Sequence, residues 1–216
     1  MSRLMRRLAG TSILMLLSCA ASAAADVGLI NQLQGEVSFQ GGSAVSRATA
    51  FMKVRDGDRF TLADGAVVRV VYFEDGRQET WRGPAAFKAG QKQGDALTGK
   101  AEISQLPAGV SSKLAQTAEV IQIARLGRAG GVTVRGVKAQ PQLSASQQAE
   151  VAQARKMYDT LRANAANDDI TPELYLYTML ESNMLYDDMK VVIKSMQDRQ
   201  PNSQEVRELA AWASGR

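Results

Sequence analysis

Three Asp-Gly pairs lie between residues 56 and 76, and each borders a run of apolar or alternating residues. Both residue types tolerate the positive φ angles of tight turns, so this pair is typical of connections between β-strands. The alternative is a calcium site, because calcium prefers carboxylate oxygens. Its ligands would come from five acidic residues, Asp56, Asp58, Asp64, Glu74 and Asp75. The segment does not continue in the spacing of an EF-hand, and we therefore predict turns and no metal site.

Residues 27–97 have the pattern of a β-structure. The run AVVRVVYF at residues 66–73 is apolar on both faces, which indicates a central strand that is covered on both sides. RQETW follows after a tight turn, so residues 66–82 predict a hairpin. Because the Asp-Gly pairs recur after 8 and 11 residues with no helical period between them, we expect an all-β sandwich or barrel.

From residue 147 onward the apolar period becomes helical. We predict helices over residues 147–166, 172–182, about 185–200 and 203–213, with a shorter helix near residues 111–127 and a brief extended piece at residues 130–136. Ser144 or Ser146 is the candidate cap of the first, and Thr171 is the candidate cap of the second, with Pro172 at its first position. The fold class is thus α+β, an all-β sandwich-like part followed by antiparallel helices.

Residues 1–25 have the layout of a secretory signal, since arginines precede an apolar run and a tail of small residues. Cleavage after Ala25 would leave Asp26 as the first residue of the exported chain. The alternative is lipid attachment at Cys19, because LLSC resembles a bacterial lipobox. We expect a periplasmic protein that meets the membrane only through such an anchor, since no other segment approaches about 18 consecutive apolar residues.

The basic charge balance belongs mainly to this leader. Removing its three arginines from the 26 basic residues leaves 23, against 22 acidic residues. Nucleic acid is therefore not an expected partner.

The chain contains no histidine, and Cys19 is its only cysteine. Triads that use His, structural zinc sites and haem ligation by His or Cys are excluded, and we expect no cofactor. A carboxylate-based hydrolase is the remaining enzymatic alternative, with Glu74, Asp75 and Glu79 as its acid and base candidates. No spacing indicates two carboxylates facing each other across a cleft, and we expect a non-enzymatic protein.

The segment VRDGDRFTLADGAVVRVVYFEDGRQETWRGPAAFKAG, residues 54–90, with GEVSFQ as opening strand, resembles the FecR-like domain of bacterial envelope proteins. In that family short strands are joined by GD and DG turns. The resemblance implies a β domain that lies in the periplasm and binds an envelope component or a protein partner.

The segment PELYLYTMLESNMLYDDMKVVIKSMQDRQPNSQEV near the C-terminus resembles a degenerate tetratricopeptide-type helix pair. Such repeats usually need about three units to stand alone, so this pair must pack on its neighbours. The resemblance implies a helical segment that docks a second partner.

Two groups of residues are candidates for contact with a partner or a glycan. In WRGPAAF they are Trp81, Arg82 and Phe87, which could stack on a sugar or anchor a protein, the alternative being a tryptophan in the sandwich core. In the acid-free run at residues 120–140 they are Arg125, Arg128, Arg135 and Lys138. That run would meet an acidic polymer or lipid head groups, or form a solvated face.

Four segments result: a signal at residues 1–25, a FecR-like β domain at 26–100, a connecting helix and extended segment at 101–140, and a tetratricopeptide-like helical segment at 141–216. We expect an exported, non-enzymatic binding or scaffold protein of the bacterial cell envelope. The alternatives are a peptidoglycan or polysaccharide binder and the hydrolase.

Overall fold

In residues 25–129 and 142–213, which the computed structural model describes, ten β-strands precede five α-helices, so the predicted α+β class is confirmed. The strands are β1 Asp26–Gln34, β2 Val37–Gly41, β3 Ala44–Arg47, β4 Lys53–Arg55, β5 Arg59–Leu62, β6 Val67–Tyr72, β7 Arg77–Arg82, β8 Ala85–Ala89, β9 Gly94–Thr98 and β10 Ala101–Gln105. The helices are α1 Val110–Ala129, α2 Ala145–Asn164, α3 Thr171–Ser182, α4 Tyr186–Arg199 and α5 Gln204–Ala213.

The strands form two antiparallel five-stranded sheets that pack as a sandwich. The first sheet has the order β10-β7-β6-β1-β4 and the second the order β3-β2-β5-β8-β9. Ile30, Val70 and Trp81 of the first sheet share one apolar core with Phe60 and Phe87 of the second. The sandwich expected from the sequence is thus present.

Strand β6 lies inside the first sheet and is covered on both faces, as its sequence predicted. Val68 and Val70 are buried in the sandwich core, whereas Val71 is buried against the helices. Strand β7 follows it and pairs with it antiparallel over five residues, from Val67 opposite Arg82 to Val71 opposite Gln78. The hairpin predicted for residues 66–82 is confirmed.

All three Asp-Gly pairs lie in turns, and each of their glycines has a positive φ. The Asp75-Gly76 turn joins β6 to β7 within one sheet, and Asp75 Oδ1 accepts a hydrogen bond from the Arg77 amide at 3.0 Å. The other two turns lead from β4 to β5 and from β5 to β6, and each of those steps crosses from one sheet to the other. Two of the three turns are therefore corners of the sandwich and not hairpins.

The sandwich extends past the boundary predicted at residue 100, because β10 adds a fifth strand to the first sheet beside β7. The segment after it is a helix of 20 residues, longer than the short helix predicted there. The extended piece predicted at residues 130–136 lies outside the described residues.

The four C-terminal helices lie close to their predicted bounds. Of the two predicted caps of α2, Ser144 is the one in the structure, and it forms a capping box with Gln147. The prediction that Thr171 caps α3 is wrong, because Ile170 occupies the cap position and Thr171 is the first helical residue. The backbone N–H of Thr171 instead donates to Asp169 Oδ1 at 2.8 Å, so the carboxylate of Asp169 satisfies a donor that has no partner within the helix.

The helices cover the outer face of the first sheet. Leu29 of β1 and Val71 of β6 belong to the same apolar core as Leu114 of α1, Leu174 of α3 and Leu209 of α5. The described chain therefore has three layers, in the order second sheet, first sheet, helices. The first sheet takes part in two cores, and for this reason the helices are not an independent unit.

A buried carboxylate joins three of the helices. Glu173 of α3 has no exposed surface, and its Oε1 accepts from Arg199 Nε of α4 at 2.7 Å. Its Oε2 accepts from Arg162 Nη1 of α2 at 3.1 Å. Tyr158 and Ser195 donate to the same carboxylate at 3.3 and 3.2 Å. A buried charge that is paired and fully hydrogen-bonded holds its partners in one arrangement.

We expect Glu173→Gln to lower the free energy of unfolding by about 3 kcal/mol, because it leaves two arginine side chains without their buried counter-charge. Urea denaturation measures this loss. The matched control is Asp188→Asn, which removes the exposed pair between α2 and α4 that Arg155 and Asp188 form at 2.9 Å. That control should cost less than about 1 kcal/mol, and equal losses in the two variants would contradict a structural role for Glu173.

Candidate binding cleft

A cleft of about 510 Å³ opens where the sandwich meets the turn between α4 and α5. We call it the seam cleft. Its walls are the end of β1 with Gly35, the segment from Arg47 to Thr49 at the end of β3, Asp168 before α3, and residues 199–205 with Arg207. Its volume lies within the roughly 300–1,000 Å³ of small-molecule sites in proteins.

Local structure fixes both walls of the cleft. On the sandwich side, β1 ends at Gln34, and Gly35 takes a φ of 80° that favours glycine. On the helical side, Pro201 follows the end of α4, and Ser203 Oγ accepts from the Val206 amide at 3.2 Å at the start of α5. Glu205 then reaches across the seam, where its Oε1 accepts from the Ala50 amide at 3.1 Å.

Asp168 lies in the cleft wall and is held from the sheet. Its Oδ2 accepts from Gln32 Nε2 at 2.8 Å, and Arg69 Nη2 lies 3.6 Å from its Oδ1. Burial alone would raise the pKa of Asp168, but the Gln32 amide and the Arg69 guanidinium outweigh that effect. The pKa therefore lies below its ordinary value of 3.8.

A buried polar cluster next to the cleft locks the start of α3 to the first sheet. Gln78 of β7 donates from Nε2 to Asp169 Oδ2 at 2.8 Å, and the Thr171 hydroxyl donates to Asp169 Oδ1 at 2.6 Å. Asn31 of β1 donates from Nδ2 to the Thr171 hydroxyl, and Arg69 Nη1 lies 3.7 Å from Asp169. We call this set, Asn31, Arg69, Gln78, Asp169 and Thr171, the polar lock.

The lining of the seam cleft is polar. It contains five side-chain amides, from Gln32, Gln34, Gln200, Asn202 and Gln204. It also contains five charged residues, Arg47, Asp168, Arg199, Glu205 and Arg207. Amides both donate and accept hydrogen bonds, and the arginines supply fixed donors. The arrangement suits a polar ligand that is held by hydrogen bonds.

Two of the residues predicted for partner contact are buried and cannot meet a partner from the surface. The rings of Trp81 and Phe87 stack at a centroid distance of 4.5 Å in the sandwich core, where Trp81 is 2% exposed and Phe87 is fully buried. The alternative prediction, that the tryptophan belongs to the sandwich core, is therefore correct. Arg82 is exposed and its Nε pairs with Glu102 at 3.2 Å.

The predicted basic run is only partly within the described structure. Arg125 and Arg128 lie on α1, and their side chains are outside the part of the chain that is described. Arg135, Lys138 and Cys19 lie outside the described residues altogether.

The acidic residues weighed for catalysis have structural partners. Glu79 is 1% exposed, and its carboxylate accepts from Arg77 Nε at 2.6 Å, Trp81 Nε1 at 3.1 Å and the Gly94 amide at 3.0 Å. Glu74 pairs with Lys92 at 2.8 Å on the surface. In residues 25–129 and 142–213, no group of three or more acidic, His or Cys side chains is placed to hold a metal ion.

Comparison of the chain with protein-family models, with curated proteins and with solved structures finds no match in any of the three. Within the part of the chain that the structure describes, no helix has both the length and the apolar character needed to cross a membrane.

The seam cleft is formed by residues that are far apart in the sequence. Gln32 and Asp168 are 136 residues apart in the chain, and Glu205 contacts a backbone amide 155 residues before it. No spacing in the sequence indicates these contacts. The only local signal was Thr171-Pro172, which indicated the start of a helix and nothing about the sheet.

We expect Asp168→Asn to be less stable than the wild type near neutral pH. Because the pKa of Asp168 is lowered in the folded state, its contribution is present above about pH 4 and is lost as the pH falls through the folded value. The stability difference between the two proteins should therefore shrink toward pH 2–3. Urea titrations across this range measure it, with Asp64→Asn correcting for the loss of one exposed carboxylate, and a difference independent of pH would contradict the assignment.

Proposed function

We propose that this protein is an exported, non-enzymatic binding or scaffold protein of the bacterial cell envelope, and that the seam cleft is where it binds. The observation that carries the proposal is the cleft itself, which combines a volume of about 510 Å³ with a lining of amides and arginines. Such a site recognises a partner through hydrogen bonds and charge.

The FecR-like identity of the β part belongs to this proposal. The segment that carries the resemblance runs through β5 to β8, and its strands alternate with the Asp-Gly turns that the resemblance rests on. In this proposal the sandwich supplies one wall of the cleft, from β1 and the segment after β3, to an envelope component or protein partner.

The helical part is proposed to dock a second partner, in the manner of tetratricopeptide-like segments. Helices α3 and α4 are neighbours, as are α4 and α5. Such a short array needs support, and the first sheet supplies it by burying one side of the helices.

A peptidoglycan or polysaccharide binder is the second candidate, favoured by the five amides in the cleft. Side-chain amides pair well with sugar hydroxyl groups, since both donate and accept hydrogen bonds. The glycan contact would then lie in the seam cleft and not at Trp81, which is buried.

Export through the leader is also part of the proposal. We expect the protein isolated from cells to begin at Asp26, as mass spectrometry of its N-terminus would establish. Cys19→Ser should leave this processing unchanged, because ordinary cleavage does not use the thiol. A lipid-modified N-terminus at Cys19 would contradict cleavage after Ala25 and place the protein on the membrane.

The function is tested with the full chain as bait in an envelope extract. Separate halves are unsuitable as baits, because the helices and the first sheet share one apolar core and would each lose part of it. We expect a defined set of proteins to be retained and identified by mass spectrometry. The double variant Arg47→Glu, Arg207→Glu should lose them, since it reverses two exposed charges of the cleft.

The matched control reverses two exposed cations elsewhere, Arg59→Glu and Lys88→Glu, which lie opposite each other on β5 and β8. This control should retain the partners. Retention by the cleft variant would contradict the seam cleft as the site. If no protein is retained but the chain sediments with purified peptidoglycan, the glycan function replaces the protein one, and failure of both contradicts a binding function.

A further inference from the structure

The sandwich has four edge strands among the described residues, and three of them are unsuited to adding a further strand. Strand β4 has three residues, and its Lys53 is engaged by Asp26 at 2.9 Å and by Glu119 of α1 at 3.6 Å. Strand β3 has four residues and ends at the seam cleft. The pairing of β9 is irregular, since its register to β8 shifts between Ala86 and Phe87. Short length, lysines and irregular pairing are the features that protect sheet edges.

Strand β10 carries one exposed charge, that of Glu102, but it lacks the lysines, the very short length and the irregular pairing of the other edges. It pairs with β7 over five consecutive residues, from Ala101 opposite Trp81 to Gln105 opposite Arg77, with no shift in register. It contains no proline and no lysine. Among the described residues β7 is its only strand partner, so the backbone groups along its other side have no strand to pair with.

An apolar side chain is exposed at the middle of this edge. Ile103 is 58% exposed, although it lies opposite Glu79 on the face of the first sheet that is turned toward the second sheet. On either side of it in the strand are Glu102 and Ser104, which point to the opposite face.

We infer that β10 pairs antiparallel with β10 of a second copy of this chain, so that the first sheets of two molecules join into one ten-stranded sheet. The two-fold axis would run perpendicular to the sheet and pass between the two Ile103 residues. A two-fold contact of this kind is self-complementary, and it closes after two copies. The inference does not depend on the proposed binding function.

The register follows from the side chains of β10. An axis perpendicular to the sheet keeps each face continuous and pairs the strands about one central residue. For at least three residues of each five-residue strand to pair, that residue is Glu102, Ile103 or Ser104. Centring on Glu102 places two like charges directly opposite each other, which is destabilising. Centring on Ser104 places Ile103 opposite the polar Gln105 of the second copy.

Centring on Ile103 avoids both faults. It places Ile103 opposite Ile103 of the second copy on one face, and Glu102 opposite Ser104 on the other. Each Ile103 side chain then has an apolar neighbour across the strand pair, and neither Glu102 carboxylate lies opposite another carboxylate. A contact of one five-residue strand is small, so we expect a weak dimer that forms with rising concentration.

Disulfide cross-linking in the full chain tests the pairing and its register together. With Cys19→Ser as background, the chain has no other cysteine. We expect Ile103→Cys to form a disulfide-linked dimer under mild oxidation, because directly opposite residues of antiparallel strands have Cα atoms about 4.5–5.5 Å apart, within the range of a disulfide.

The control is Glu102→Cys in the same background, whose two copies would be offset diagonally on the sheet. We expect it to cross-link at least about ten times more slowly, since its cysteines fall outside the favourable disulfide distance. Equal or faster cross-linking of Glu102→Cys would overturn the inference, and so would an Ile103→Cys protein that stays monomeric.

Sedimentation velocity supplies an independent measurement without oxidant. The Cys19→Ser chain should show an average mass that rises with concentration, and Ile103→Lys should abolish this rise. The matched control is Val45→Lys, because Val45 is an exposed apolar residue on β3, an edge of the other sheet. Loss of self-association in both variants, or in neither, would contradict pairing through β10.

Discussion

The burial of the first sheet on both of its faces is the constraint on which the rest of the structure depends. A sheet with two covered faces needs apolar side chains on both sides of its central strands, and β1 and β6 supply them. Leu29 and Ile30 are adjacent in β1, yet one belongs to the helical core and the other to the sandwich core. Any change that loosens the first sheet must therefore affect both layers packed on it.

The polar lock makes this packing specific. Apolar contact alone would allow α3 to slide over the sheet, whereas Asp169 accepts a hydrogen bond from Gln78 of β7 and the Thr171 hydroxyl accepts one from Asn31 of β1. Asp169 is 4% exposed and Arg69 is 5% exposed, so an imperfect arrangement would leave buried charges without partners. The seam cleft lies beside this lock. Its shape depends on how α3 is placed, which links the proposed site to the central packing constraint.

Two surfaces of the molecule are therefore proposed for different contacts. The seam cleft lies between the sandwich and the α4–α5 turn, with hydrogen-bonding side chains and arginines. The β10 edge belongs to the same first sheet but offers backbone groups and one exposed isoleucine. Strand β10 contributes none of the residues that line the cleft, so the two proposed contacts use different residues.

The amino-acid sequence alone determined the features that depend on neighbouring residues. These are the turns at the Asp-Gly pairs, the β6–β7 hairpin and the approximate bounds of the C-terminal helices, because turn chemistry and apolar period act over a few residues. Only the tertiary structure decided which turns cross between sheets, that β10 joins the first sheet, and that Trp81 is buried against Phe87. It also brought together the cleft and the polar lock, which contain hydrogen bonds between residues 91 to 155 positions apart. Such contacts leave no local pattern, since a buried glutamine or aspartate gains its partner from the packing of layers and not from its neighbours in the chain.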